Sequence, residues 1–89
     1  MKIKVKVKFF GFLARMVGKD HVLEFDEGIT LADAIEKIFR LYNIGNFRLA
    51  NEYSPIGYVK VFLNGKISSR KDVLHDGDEI TLYPPISGG

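Results

Sequence analysis

The chain opens with a strict alternation of lysine and apolar side chains over residues 2–9. Successive side chains of a strand point to opposite faces, so this segment predicts a β-strand with one face in the core and the other in solvent. The period then changes. Phe10, Leu13 and Val17 have helical spacing, and Gly18 is a typical helix stop, so a short helix is predicted there.

A second strand and a longer helix follow. Residues 22–26 predict a strand with Leu23 and Phe25 facing inward. Thr30 is a good N-cap, and Asp33 three residues later is favourable at the positive end of a helix. Apolar residues then recur at helical spacing as far as Tyr42, which predicts an amphipathic helix that packs one stripe on a sheet.

The second half of the chain predicts a hairpin and a last strand. Residues 43–57 hold no period and are interpreted as a long irregular connection. Residues 58–63 alternate again, Asn64-Gly65 is a strong two-residue turn, and residues 79–83 form the last strand with Ile80 and Leu82 inward. We therefore expect an α+β fold, with one main helix across one face of a mixed four- to five-stranded sheet.

Composition narrows the function classes. The 89 residues are enough for one domain, predicted to be a body over 1–85 and a flexible tail over 86–89. The chain has no cysteine, which excludes a thiolate nucleophile and a cysteine-ligated metal. A net charge of +2 is too small to imply nucleic acid. No segment predicts a signal peptide or a membrane span, so a cytoplasmic protein is expected.

Three charged or titratable patterns have ordinary structural interpretations. The lysine stripe of residues 2–8 could suggest RNA, but it lacks interleaved aromatic residues and fits a solvated sheet face better. His21 and His75 are predicted to be surface residues rather than ligands or bases. The aspartates around Gly77 lack the full calcium-loop pattern, and a tight turn explains them. No metal site or catalytic residue is predicted.

The last six residues carry the most specific signal: Pro84, Pro85, Ile86, Ser87, Gly88 and Gly89. They follow a strand directly. The prolines stiffen the exit, and the two glycines can lie in a slot too narrow for any side chain. A slender tip that ends in a carboxylate suits entry into another protein's active site. The alternative is an inert frayed tail.

Three segments together resemble the small subunit of molybdopterin synthase, the MoaD-type sulfur carriers of the ubiquitin-like β-grasp family. They are Val7-Lys8-Phe9-Phe10-Gly11 with Leu13-Ala14-Arg15 and Gly18, then Leu63-Asn64-Gly65, and finally Leu74 through Ile80 with the closing Tyr83 through Gly89. The thiazole-forming carriers share the fold and the Gly-Gly end but generally lack the Pro-Pro. Residues 43–57 carry no signature of the family. Small archaeal modifier proteins are similar as well.

The resemblance implies a carrier that is not catalytic by itself. A carboxylate must be activated before sulfur can displace a leaving group, and the chain has no phosphate-binding glycine loop to do this. The resemblance therefore implies an E1-like partner that uses ATP, a thiocarboxylate on Gly89, and delivery of sulfur to a pterin precursor in the large, MoaE-type synthase subunit. It implies no bound cofactor. Two alternatives stay open: a modifier joined to lysines, and an interaction domain with an inert tail.

A docking surface is expected on the outward face of the sheet. Phe62 and Tyr83 occupy outward positions near Lys60 and Thr81. Aromatic side chains in such positions can mark an interface, although they are also ordinary strand formers.

Overall fold

The computed structural model describes residues 1–44, 48–49 and 58–84, which form seven elements. In chain order they are β1 (Lys2–Phe9), α1 (Gly11–Val17), β2 (Asp20–Asp26), α2 (Leu31–Leu41), β3 (Arg48–Leu49), β4 (Tyr58–Leu63) and β5 (Glu79–Tyr83). The sheet order is β2-β1-β5-β4-β3. Most of the predicted connection over 43–57 lies outside the described residues, apart from residues 43–44 and the two residues of β3.

The sheet is mixed, as predicted, and β1 and β5 lie at its centre. β1 pairs antiparallel with β2 and parallel with β5, and β4 pairs antiparallel with β5. The apolar positions of β1 are buried and the alternating lysines are exposed or half-buried, which confirms the predicted inner and outer faces. Ile80 and Leu82 of β5 are fully buried beside them.

Helix α2 covers the inner face of the sheet. Ala34, Ile35 and Ile38 are buried against it, as the apolar stripe predicts. The Thr30 hydroxyl accepts a hydrogen bond from the Asp33 N–H at 3.3 Å, so Thr30 is the N-cap.

The remaining first-turn donors of α2 are satisfied by the chain that follows β4. The Leu31 N–H donates to the carbonyl of Asp72 at 2.8 Å, and the Ala32 N–H donates to the carbonyl of Arg70 at 3.0 Å. These bonds tie the irregular segment before β5 to the start of the helix, because helix N-termini leave donors that need partners.

The predicted turn after β4 is confirmed. Asn64 and Gly65 have φ of 53° and 80°, which is the left-handed geometry of a two-residue hairpin turn. The returning arm is a single bridge between Leu63 and Lys66 rather than a full strand. The Asn64 side chain donates to Asp78 and accepts from the Glu79 N–H, so the turn is fastened to the start of β5.

His21 is half-buried, whereas the sequence predicted a surface position. Its Nε2 lies 3.0 Å from the Gly18 carbonyl, and its Nδ1 lies 2.9 Å from the Tyr42 hydroxyl. A carbonyl only accepts, so Nε2 carries the proton, and in the neutral ring Nδ1 accepts from Tyr42. The imidazole ring of His21 and the phenol ring of Tyr42 each meet the Phe9 ring edge-on. Burial raises the pKa of the Tyr42 hydroxyl above its ordinary value.

Candidate docking surface and tail root

Three aromatic rings lie together on the outer face of the sheet, at the end where β5 leaves it. The Tyr83 ring stacks on Phe10 with centroids 4.8 Å apart and an angle of 14°, and it meets Phe62 edge-on at 5.5 Å. Tyr83 is 38% exposed and Phe62 is half-buried. The structure therefore brings together the two residues that the sequence proposed, and we call Phe10, Phe62 and Tyr83 the aromatic cluster.

Phe10 was placed wrongly by the helical spacing. It is the residue before α1, with an extended backbone, and it continues the alternation of β1 rather than the stripe of Leu13 and Val17. Phe9 faces the core, so the next side chain falls on the outer side. The strand alternation, carried one residue further, was the signal that could have identified Phe10.

Thr81 also differs from the expectation of an exposed outward position. It is 8% exposed, because the register sets it between Lys8 on one side and Phe62 on the other. The outer face near the aromatic cluster is therefore close-packed at its centre.

Lysines border the aromatic cluster. Lys19 Nζ lies 5.3 Å from the centroid of the Phe10 ring, which is cation–π distance. Lys60 is opposite Tyr83 in the antiparallel register. The cluster thus combines apolar rings with positive charge, a composition that fits a protein surface with an apolar centre and acidic groups around it.

The lysine stripe on the other half of the outer face is matched by acidic residues. Lys2 and Asp26 form an ion pair at 2.6 Å, and Lys8 and Glu79 form one at 3.3 Å. The hydrogen bond with Lys2, and then the charge of Lys2, lower the pKa of Asp26. The hydrogen bond with Asp26, and then the charge of Asp26, raise the pKa of Lys2. These contacts fit the interpretation of a solvated face.

The root of the tail lies against the junction of β1 and α1. The Phe10 N–H donates to the Leu82 carbonyl at 3.0 Å, which extends the β1–β5 ladder by one bond. Pro84 is half-buried and lies on Gly11, where a Cβ would be 2.6 Å from Pro84 Cγ. The other predicted tail residues, Pro85 to Gly89, lie outside the described residues.

Within residues 1–44, 48–49 and 58–84, no three His, Asp or Glu side chains come together as a metal site. The aspartates on either side of Gly77 accept hydrogen bonds from backbone N–H groups. Asp76 accepts from the Lys4 N–H and Asp78 accepts from the His75 N–H. In this described part of the chain neither helix is long and apolar enough to cross a bilayer.

The order of elements and the mixed sheet under one main helix define a ubiquitin-like β-grasp domain. Residues 7–89 match the model of the ThiS family, and the chain belongs to that family. The chain is therefore a ubiquitin-like protein of the ThiS/MoaD type, the class that holds sulfur carriers and small archaeal modifiers.

Similar proteins come from both groups. Small archaeal modifier protein 1 of Haloferax volcanii is 27% identical over 84 residues, covering 92% of this chain and 97% of that protein. A Pyrococcus furiosus structure described as molybdopterin converting factor, subunit 1, has a TM-score of 0.81 at 29% identity and covers 94% of this chain and 99% of its own.

A third structure shares the fold alone. It is the complex of subunits 1 and 2 of the molybdopterin-converting factor from Helicobacter pylori, with a TM-score of 0.59 at 23% identity over 98% of this chain and 100% of the matched chain. A ThiS/MoaD-like protein of this fold therefore binds a second subunit in that organism.

Proposed function

We propose that the protein is a sulfur carrier for the biosynthesis of molybdopterin or tungstopterin. The single observation that carries this proposal is the position of the tail root. β5 leads from the aromatic cluster directly into Pro84, so a partner that binds the cluster also lies close to Pro84, to which the last five residues are joined. The similarity to the Pyrococcus protein over 94% of the chain supports the same role.

The chemistry takes place on the carboxylate of Gly89. An E1-like enzyme in the cytoplasm binds ATP, the carboxylate oxygen attacks the α-phosphate, and pyrophosphate leaves. A nucleophile at the oxidation level of hydrosulfide then attacks the acyl carbon and displaces AMP. The new C–S bond replaces the C–O bond of the adenylate, and loss of the proton leaves a thiocarboxylate on Gly89. ATP is the partner's substrate, and this chain is proposed to hold no cofactor. Residues 85–88 are the segment proposed to enter the partner's site, and Pro84, which lies on Gly11, is the root of that segment.

The proposed cycle has two protein partners. The adenylating enzyme must bind the body while it modifies the tail, and the MoaE-type large subunit must bind it to receive sulfur. Phe62 and Tyr83 are proposed as the docking surface for both, together with Phe10. The complex of the two Helicobacter subunits supports binding of a second subunit by this fold.

The second candidate is a ubiquitin-like modifier. It uses the same acyl adenylate on Gly89, but a lysine amine takes the acyl group in place of sulfur. The match to the Haloferax modifier over 97% of that protein supports this alternative. The third candidate, a β-grasp interaction domain without activation, predicts no adenylate at all.

Intact mass of the protein isolated from its own cells separates the candidates. A carrier shows the mass increase of one oxygen-to-sulfur exchange, which disappears after mild hydrolysis. A modifier leaves its own C-terminal peptide joined through Gly89 to lysines of other proteins. After tryptic digestion this remnant is residues 72–89, because Lys71 is the last lysine or arginine of the chain. If neither signal is found in cells that are making the pterin cofactor, both proposals are contradicted. The interaction domain without activation then remains.

Extending the chain tests the role of the carboxylate directly. One alanine added after Gly89 moves the carboxylate by up to about 3.6 Å. Near-attack geometry tolerates much less, so ATP–pyrophosphate exchange with the E1-like enzyme should fall by orders of magnitude. One alanine added before Met1 is the control and should leave exchange unchanged. Equal exchange by the parent and the extended protein contradicts the proposal.

A further inference from the structure

We propose that Gly11 is a positioning residue for the tail. Its missing side chain lets Pro84 lie against the junction of β1 and α1, and this contact fixes the position of Pro84, to which residues 85–89 are joined. The inference rests on the proposed function, because it assigns Gly11 to the delivery of the terminal carboxylate. We call the contact between Gly11 and Pro84 the tail-root contact.

The geometry at Gly11 admits no side chain. A Cβ there would lie 2.6 Å from Pro84 Cγ and 3.2 Å from Pro84 Cδ, well inside van der Waals contact. The proline ring cannot rotate away as a flexible side chain does, so the end of β5 would have to move. Gly11 also has φ of +60°, a left-handed value that favours glycine.

Two further contacts hold the same segment. The Phe10 N–H donates to Leu82, and the Phe10 ring stacks on Tyr83. Leu82, Tyr83 and Pro84 are thus each fixed to Phe10 or Gly11. Pro84 is the last residue that the structure describes, and it lies next to the aromatic cluster through which the body is proposed to dock.

The fixed root sets the reach of the carboxylate. The five residues 85–89 span at most about 18 Å from Pro84. Release of Tyr83 and Pro84 would lengthen the stretch between the held part of β5 and the end of the chain from five residues to seven. The loss of effective concentration from length alone is only about 1.7-fold, since it scales as the −3/2 power of length.

A change in the exit point has a larger effect than the change in length. Misplacement of reacting groups by about 1 Å can reduce a rate about 100-fold. A loss of activation well beyond twofold therefore distinguishes loss of position from loss of tether length.

The first arm of the test uses the free protein. Nuclear Overhauser contacts between the Gly11 α-protons and the Pro84 ring should be present in the parent and absent in Gly11→Ala. Their absence in the parent overturns the tail-root contact. This arm needs no partner, so it decides the contact even if the parent is not adenylated and the proposed function fails.

The second arm measures steady-state ATP–pyrophosphate exchange with the E1-like enzyme of the same organism. Gly11→Ala should lower kcat about 10-fold or more, while the Kd of the body, measured by calorimetry, stays within about twofold. Gly65→Ala is the matched control. It places alanine at a φ of +80° with nothing within 4 Å of the new Cβ, so it carries backbone strain without the collision. Its kcat should equal that of the parent.

Pro84→Ala completes the test without adding strain. It removes the ring that meets Gly11 and should itself lower kcat. In its background, Gly11→Ala should have no further effect, because the collision no longer exists. Additive effects of the two substitutions, or a kcat within about twofold of the parent for Gly11→Ala, overturn the positioning role. If Gly11→Ala does not fold, a parent-like kcat for Pro84→Ala overturns it equally.

Discussion

The two faces of the sheet differ although the same strands build both. On the inner face, Leu82 is fully buried in the hydrophobic core. On the outer face, the next residue, Tyr83, is 38% exposed and stacks on Phe10. One step along β5 thus separates a side chain that stabilises the fold from one available to a partner. We expect stability and recognition to respond to different substitutions.

The largest effect on folding is expected on the inner face. Ile35 is 2% exposed, and Ile35→Ala should lower the free energy of unfolding by about 2–5 kcal/mol because a cavity remains under the helix. Val61 is only half-buried, so Val61→Ala should cost about 1–2 kcal/mol. Denaturant titration measures both. Leu41→Ala, at a position of α2 that is 61% exposed, is the control and should change stability by less than about 0.5 kcal/mol.

The largest effect on binding is expected on the outer face. Phe62→Asp or Tyr83→Asp places a charge in the proposed docking contact, which would lose water on binding, and should weaken binding to the proposed partner enzymes by about 2 kcal/mol, or about 30-fold. Calorimetry and circular dichroism should show weaker binding with the fold intact. Val22→Asp, at a 63% exposed position of β2 on the same face, should bind as the parent does. If both aromatic variants bind the partners as tightly as the parent does, the interface lies elsewhere on the protein.

A smaller effect is expected where β2 meets the end of α2. The folded-state pKa of Tyr42 is raised, so the folded state keeps its proton at pH values where the unfolded chain has lost it. This contribution is complete below about pH 10 and is lost as the pH rises from the unfolded to the folded pKa. The free energy of unfolding should therefore fall above about pH 10, and less steeply in Tyr42→Phe. An identical slope in both proteins contradicts this role.

The smallest effect is expected at the charged edge of the outer face. Both side chains of the Lys2–Asp26 pair are mostly exposed, and exposed pairs contribute little. The lowered pKa of Asp26 means that any contribution is present above the ordinary aspartate pKa and fades as the pH falls. Lys2→Ala should leave the melting temperature at neutral pH and physiological salt unchanged. A clear decrease would mean that the outer face also carries stability.

Local patterns predicted most of the fold because each was decided by neighbours in the chain. The alternation of β1, the Thr30 cap and the Asn64-Gly65 turn all appear as predicted. The predicted docking residues Phe62 and Tyr83 do lie together, because strand alternation set their face.

Contacts across the parallel pair β1–β5 could not be predicted in the same way. Phe10 meets Tyr83, and Gly11 meets Pro84, only because of the register between strands more than 70 residues apart. No local signal specifies that register. His21 and Tyr42 are a second case, since a lone histidine gives no sign of the hydroxyl that will face it.

The central position of β5 has a consequence for synthesis on the ribosome. β5 comes late in the sequence, yet it fills the gap between β1 and β4. A nascent or prematurely ended chain without residues 79–83 cannot join the two halves of the sheet, and contacts so distant in sequence form slowly. Fragments therefore lack both the finished body and the tail, so the proposed activating enzyme, which would hold the body while it modifies the tip, would receive only molecules that include β5.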